Sequence, residues 1–181
     1  KNHVIGMGGM LDSSRFRYFL SKALQKAGYP ATPTDIEGMV IGGHSDKTMV
    51  PLGSIATYKG IPVSHLLSEA ELEDAIAQTK VGGATLTKLL GTSAWYAPGA
   101  AAGELVKSII TDGKKLIPCC VYLEGEYGED DLCIGVPVIL GADGVEKIVE
   151  LKLDGVEKDR FAESVAAARN TQNNLGDALK K

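Results

Sequence analysis

Hydrophobic side chains recur along this chain at two spacings, which together predict a mixture of helices and strands. Four of them stand three or four residues apart, as on one face of a helix: Phe16, Phe19, Leu20 and Leu24. They predict a helix over 14–26, for which Asp12 and Ser13 supply the N-cap. Glycine and proline residues shortly after this segment predict its end.

Three further helices follow from the same periodicity. Ser68, with a glutamate three residues on, forms a capping-box pattern at the start of a helical stretch that reaches Leu90. Within this stretch Gly82-Gly83 predicts a kink or a break. An alanine-rich helix is predicted over 97–111. A last amphipathic helix is predicted over 157–179, with three side chains turned inward: Phe161, Val165 and Leu175.

Short apolar runs between these helices predict strands. The first covers Val4–Met7, and the next two cover Met39–Ile41 and Met49–Tyr58. Three later runs, separated by turns that contain glycine, predict antiparallel strands: Lys115–Leu123, Cys133–Leu140 and Lys147–Leu153. Because helices and strands do not alternate as regular βαβ units, the predicted fold class is α+β.

Composition narrows the kind of protein. The 181 residues are 44% hydrophobic and 23% charged, as expected for one globular domain. The net charge is −4 without a basic block, and no run of about eighteen apolar residues occurs, so neither nucleic acid nor membrane is an expected partner. The cysteines at 119, 120 and 133 match neither a disulfide framework nor a zinc pattern. We interpret them as small, buried apolar side chains in strands of a reduced protein and expect no metal site.

Asp12 and Arg15 are the first candidates for chemistry. Since they stand three residues apart at the start of a predicted helix, their side chains share one face. A guanidinium offers a fork of donors that matches a planar carboxylate, which lysine does not. A surface ion pair within one helical turn is the alternative, and the spacing alone leaves it open.

His44 is the second candidate, in a glycine-rich turn over 42–46 that follows a predicted strand. Glycines let backbone approach a ligand, and an imidazole exchanges protons near neutral pH. A structural role for this histidine remains the alternative, and Asp46 is interpreted as a turn residue. The glycines of 6–10 do not match a dinucleotide-binding fingerprint, because the third is misplaced and no acidic residue follows at the expected distance. They predict a simple turn.

Taken together, four segments of this chain resemble the lactate and malate dehydrogenase family in residues and in order. They are Leu11–Arg17, Gly42–Asp46 followed by Met49-Val50-Pro51, Gly91–Pro98 and Gly125–Gly128. The resemblance implies the family's C-terminal fold and a substrate-binding, catalytic domain over 1–181. It also implies that the Rossmann NAD-binding half would precede Lys1. We therefore expect the chain to be part of a longer enzyme and to turn over slowly or not at all by itself.

The resemblance further implies roles for individual residues. His44 matches the family's proton acceptor, Asp12 the carboxylate that orients this imidazole, and Arg15 the arginine that binds the substrate carboxylate. The pocket-lining positions are Met7 for the nicotinamide and Ser93 and Ala94 for the substrate.

Two residues depart from the family pattern. Ser45 stands where glycine is usual, which is harmless if its backbone angles are ordinary. Lys47 stands where a small polar residue is common, and we hypothesise that its charge disfavours protonation of His44.

The implied activity is the reversible, NAD-dependent oxidation of (S)-malate to oxaloacetate in the citric acid cycle. The segments over 95–98 and 125–128 favour malate-type over lactate-type members, and lactate oxidation is the alternative within the family. A carboxylate-binding or assembly module without turnover is the alternative outside it. The resemblance also implies a small dicarboxylate as the ligand. The alanine-rich helix suits a homodimer or homotetramer, and unpaired cysteines suit the cytoplasm.

Overall fold

A five-stranded antiparallel sheet lies at the centre of the molecule, as seen in a computed structural model that describes residues 1–153 and 155–179, without the side chains of 176–179. The described residues form the strands β1 (Ile36–Glu37), β2 (Val40–Gly42), β3 (Met49–Pro51), β4 (Thr57–Tyr58), β5 (Ile61–Pro62), β6 (Lys115–Glu124), β7 (Asp130–Gly141) and β8 (Gly144–Ile148). They also form the helices α1 (Gly8–Lys26), α2 (Glu69–Leu90), α3 (Tyr96–Ile110) and α4 (Gly155–Leu179).

The central sheet is organised around β7. Strand order is β3-β2-β7-β6, and β8 also pairs with β7. The long strands β6 and β7 pair along their lengths, whereas β2 meets β7 only where Gly42 lies opposite Gly135. A small second sheet has the order β1-β4-β5. Helices combined with antiparallel sheets confirm the predicted α+β class.

The buried hydrophobic residues form two separate clusters. Alternate residues of β6 and β7 supply the first, against which Leu105 of α3 and Phe161 and Val165 of α4 are buried. The second joins α1, α2 and the small sheet, and Phe16, Leu20 and Leu24 are fully buried in it. Full burial of such a side chain contributes about 1.5–3 kcal/mol. The helical spacing predicted for α1 is therefore confirmed.

Helix α1 begins at Gly8 rather than at Ser14, so the predicted N-cap was wrong. Asp12 and Ser13 lie inside the helix, and both are buried. Neither side chain caps the helix, because each forms a hydrogen bond with the segment around β2 instead of with the backbone of its own helix. The strand predicted over Val4–Met7 is reduced to one β-bridge between Gly6 and Cys120.

The other helices follow their predictions more closely. The capping box of Ser68 and Glu71 opens α2 as predicted, but α2 continues through Gly82-Gly83 without the expected break. The inward positions of Phe161 and Val165 on α4 are confirmed, whereas Leu175 is 59% exposed. Within the described residues, no helix combines the length and the apolar character that a membrane crossing requires.

Two strand predictions need correction. The run over Met49–Tyr58 divides into β3 and β4, which belong to different sheets. Between them the N–H of Ala56 donates to the carbonyl of Gly53 and turns the chain. The last predicted strand lies at Gly144–Ile148, earlier than 147–153, because a tight turn joins β8 directly to β7.

Candidate active site

Asp12 is the centre of the candidate site, because its two carboxylate oxygens hold two different side chains. Oδ2 lies 2.6 Å from Nδ1 of His44, and Oδ1 lies 3.1 Å from Nη1 of Arg15. The Asp12 side chain is only 2% exposed. A carboxylate removed from water requires such partners, so the three residues form one electrostatic unit.

The first turns of α1 set the position of this unit. The i, i+3 spacing places Asp12 and Arg15 on one face, as the sequence indicated. The helix start also passes close to the imidazole, since a Cβ on Gly8 would lie 2.8 Å from Cγ of His44. A Cβ on Gly9 would lie 2.6 Å from the carbonyl oxygen of Pro118. The glycines of this segment are thus a packing requirement of the site and not a simple turn.

Two buried serines hold the strand that leads to His44. The N–H of Val40 donates to Oγ of Ser13 on α1, at 2.8 Å. The N–H of Gly43 donates to Oγ of Ser164 on α4, also at 2.8 Å. Sequence reasoning missed both serines, because nothing in a helical segment marks a hydroxyl that accepts a hydrogen bond from a distant strand.

The turn after β2 accommodates both departures from the family pattern. Ser45 does not adopt a positive φ, and its Oγ lies 2.6 Å from Oγ1 of Thr48. The charged groups that act on His44 are Asp12 and Arg15, whereas Lys47 is exposed and is not one of them. The structure therefore gives the Lys47 hypothesis no support.

The hydrogen bond that His44 makes to the Asp12 carboxylate raises the pKa of His44 above its ordinary value, while partial burial and the positive charge of Arg15 act in the opposite direction. The imidazole is 54% exposed on its other side. Asp12 occupies Nδ1, and no residue in the described part of the chain bonds to Nε2. This nitrogen is consequently available to exchange a proton with a ligand.

An open cavity of about 830 Å³ borders the imidazole. Its mainly apolar wall comes from the start of α1, from β2 and the following turn, from the paired β6 and β7, and from α4. Lining residues from these elements include Met7, Gly8, Asp12, His44, Cys120, Ile134, Ser164 and Thr171. Apolar walls with a few convergent polar groups are typical of small-molecule sites.

Arg15 joins α1 to α2. Its Nη1, besides contacting Asp12, lies 3.5 Å from the carbonyl oxygen of Thr79. Among the residues described, none bonds to Nε or Nη2, and the side chain is 19% exposed. The second edge of the guanidinium can therefore accept a planar anion.

The structure brings only some of the predicted pocket residues together. Met7 directly precedes α1 and lines the cavity beside His44. Ser93 and Ala94 lie in the connection between α2 and α3, the first exposed and the second half-buried. These two residues and Arg15 are not among the described residues that line the cavity, and the substrate-binding roles of all three stay predictions.

The cysteines occupy three different environments. Cys119 is fully buried, and burial raises the pKa of its thiol to about 12, as suits an inert apolar side chain. Cys120 is half-buried and Cys133 is exposed, so the prediction of buried cysteines was wrong for Cys133. The described residues contain no group of three or more side chains suited to hold a metal ion.

The fold and the site together define a class of protein. The family model of the lactate/malate dehydrogenase alpha/beta C-terminal domain matches residues 9–177, and the chain belongs to this family.

Individual relatives sharpen the comparison. The chain is 64% identical over 175 residues to the malate dehydrogenase of Parabacteroides distasonis, an alignment that covers 97% of this chain and 54% of that protein. The structure of malate dehydrogenase from Salinibacter ruber superposes with a TM-score of 0.92 at 43% identity, covering 99% of this chain and 57% of that one. A lactate dehydrogenase from Eimeria maxima, solved with NADH and oxamate, gives 0.90 at 35% identity and covers 98% and 56%. The chain thus spans about half the length of the relatives it matches.

Proposed function

We propose that this chain is the substrate-binding and catalytic half of an NAD-dependent malate dehydrogenase, which interconverts (S)-malate and oxaloacetate. One observation carries the proposal: a single buried carboxylate, Asp12, holds both a histidine and an arginine, whose Nε2 and whose Nε–Nη2 edge bond to none of the described residues. Oxidation of a 2-hydroxy acid needs these two functions side by side, a base for the hydroxyl and a cation for the carboxylate.

His44 is the proton acceptor in this proposal. Its Nε2 takes the proton from the substrate hydroxyl as the C2–H bond breaks, and the resulting imidazolium is stabilised by Asp12 at 2.6 Å. In the reverse direction the protonated ring returns this proton to the forming alkoxide. The raised pKa of His44 favours the protonated form that oxaloacetate reduction needs.

Arg15 fixes the substrate in place. Asp12 and the Thr79 carbonyl hold Nη1, which leaves the donors on Nε and Nη2 for the substrate. A two-pronged bond to the C1 carboxylate would then hold C2 and its hydroxyl at a constant distance from His44.

NAD, when bound, takes up the hydride that leaves C2. The residues present fit the nicotinamide end of this cofactor. Met7, Cys120 and Ile134 give the cavity an apolar wall beside His44, and Gly8 places no side chain of its own against the imidazole. We propose that the adenosine and phosphate groups bind to a Rossmann half that precedes this chain, consistent with relatives of about twice its length.

The names of the most similar relatives support malate rather than lactate as the substrate. The fold alone does not separate the two, because a lactate dehydrogenase superposes almost as well. We also propose that the enzyme is cytoplasmic and that it is a homo-oligomer. The reason for the oligomer is that large apolar side chains at and after the end of α2 and on α3 are exposed, as suits a subunit interface. They are Leu89, Leu90, Trp95, Tyr96 and Ile110.

The test compares NADH oxidation by the full-length enzyme with oxaloacetate and with pyruvate. We expect a strong preference for oxaloacetate, and for His44→Asn a fall in kcat on the order of a thousandfold, within the range of general acid–base catalysis. His65→Asn is the matched control, because His65 is exposed on a separate turn and should leave the rate unchanged.

Each other outcome has a definite meaning. A preference for pyruvate would keep the roles of His44 and Arg15 and change the substrate to lactate. No turnover with either acid would contradict the enzyme proposal and leave a carboxylate-binding module. We also expect the 181-residue chain alone to oxidise NADH slowly or not at all.

A further inference from the structure

Two adjacent glycines in the middle of α2 lack an explanation in the helix itself. Gly82 and Gly83 do not have positive φ angles, and the helix continues through them. Glycine in a helix interior is unfavourable relative to alanine, so a reason for two of them should lie outside α2.

The side chain of Arg15 occupies the space that their side chains would fill. A Cβ on Gly82 would lie 2.7 Å from Cδ of Arg15 and 3.2 Å from Cε2 of Phe19. A Cβ on Gly83 would lie 3.1 Å from Nη2, 3.4 Å from Nη1 and 3.5 Å from Cζ of Arg15. The stem of the arginine therefore lies against Gly82, and its charged end lies against Gly83.

We propose that Gly82 and Gly83 are positioning residues for Arg15, and we call them the arginine seat. Without side chains at these two positions, the guanidinium can lie directly against the backbone of α2. This contact holds it in the orientation in which Nε and Nη2 point to the substrate carboxylate. This inference rests on the proposed function, because it assumes that Arg15 binds the carboxylate of the acid.

The contacts around Arg15 explain why the seat matters. Asp12 and the Thr79 carbonyl hold only Nη1, and hydrogen bonds at one nitrogen leave the planar group free to tilt about that point. The seat supports the group where Nη2 lies. Because a two-pronged bond to a carboxylate requires both groups in nearly one plane, a small tilt would weaken it.

Gly83→Ala in the full-length enzyme tests the seat most cleanly. The added methyl meets only the flexible end of Arg15, whereas the methyl of Gly82→Ala also meets the stem and Phe19. We expect kcat/KM for oxaloacetate to fall about tenfold, mainly through KM, since a misplacement of about 1 Å costs on the order of a hundredfold and this one is smaller. KM is the chosen readout because it does not depend on the fraction of enzyme that is folded.

A matched control and a double-mutant cycle separate positioning from a structural effect. Ala77→Gly changes an exposed position of the same helix, α2, by one methyl and should leave KM unchanged. Gly83→Ala should raise KM in the wild-type background but have no further effect in Arg15→Ala, because the group it displaces is gone.

Three results would overturn the inference. An unchanged KM in Gly83→Ala would show that the arginine seat does not position Arg15. An equal increase with and without Arg15 would show an effect that does not pass through the arginine. If Arg15→Ala left kcat/KM unchanged, both the proposed function and the arginine seat would be contradicted. If Arg15→Ala caused a large loss but Gly83→Ala had no effect, only the seat would be contradicted.

Discussion

Of the three pairs of adjacent glycines in this chain, Gly42-Gly43 and Gly82-Gly83 look alike in the sequence and differ in what they do. Gly42 has a φ of +84°, and a Cβ there would lie 2.6 Å from the Thr48 carbonyl oxygen, so the first pair shapes backbone. The second pair has helical backbone and makes room for the Arg15 side chain. Glycine is needed in the first pair for a backbone conformation with positive φ, and in the second pair so that a side chain can approach the backbone closely.

Asp12 connects these two regions. One of its oxygens holds the histidine that follows the first pair, and the other holds the arginine that lies on the second. A change at Asp12 should therefore affect both functions, whereas a change at either glycine pair should affect only one.

The largest effect is expected for Asp12→Asn. It removes the charge that stabilises protonated His44, and we expect kcat for oxaloacetate reduction to fall on the order of a thousandfold. Asp12 raises the pKa of His44, so its loss lowers that pKa. Reduction requires the protonated ring, and the alkaline limb of the pH–rate profile should move to lower pH.

Asp46→Asn is the matched control for this experiment, because Asp46 is exposed in the same turn. The pH–rate profile of that variant should coincide with the wild-type profile. An alkaline limb that stays in place or moves upward in Asp12→Asn would contradict the role assigned to the carboxylate.

Gly42→Ala should have the next largest effect, on stability. Alanine is strained at the positive φ of this position, and its methyl would also collide with the Thr48 carbonyl and with Ser164 Oγ. We therefore expect a loss of about 3 kcal/mol in the free energy of unfolding. Gly82→Ala should cost less, since its methyl meets side chains that can move. Urea unfolding of both variants measures the difference, and an equal cost would break the distinction between the two pairs.

Ser164→Ala should have the smallest effect of the three. It removes one of the two acceptors of the Gly43 N–H, which also donates to the carbonyl of Thr48, and it should cost about 1 kcal/mol. Because the turn before His44 loses its tie to α4, kcat should fall while KM for oxaloacetate changes little. Thermal unfolding and steady-state kinetics check both parts, with exposed Ser14→Ala as the control. If Ser164→Ala changed only KM for oxaloacetate, Ser164 would act on Arg15 and not on His44.

Much of the fold was predictable from local patterns. The apolar spacing of α1, the capping box of α2 and the long antiparallel strands are features of short segments, and they appear in the structure near their predicted positions. Several of the errors lie around the candidate site. The start of α1, the uninterrupted α2 and the reduced first strand all depend on contacts between segments far apart in the chain.

The candidate site shows the same division. The spacing of Asp12 and Arg15 and the glycine-flanked setting of His44 were visible in the sequence, and the family resemblance connected them. The supporting residues Ser13, Ser164, Gly82 and Gly83 were not, because a hydroxyl or a missing side chain acquires its role only from what lies opposite. Ser93 and Ala94, predicted from the resemblance, lie away from the cavity walls that the structure describes.

The sequence by itself determined the α+β class, the family and the three polar side chains that the proposed chemistry requires, since these depend on periodicity, composition and ordered motifs. Only the tertiary structure decided that one buried carboxylate serves both the histidine and the arginine, and that the glycines of α2 lie under the arginine. The physical reason is that hydrogen bonds and close packing between distant segments depend on distances in space, which no spacing along the chain specifies.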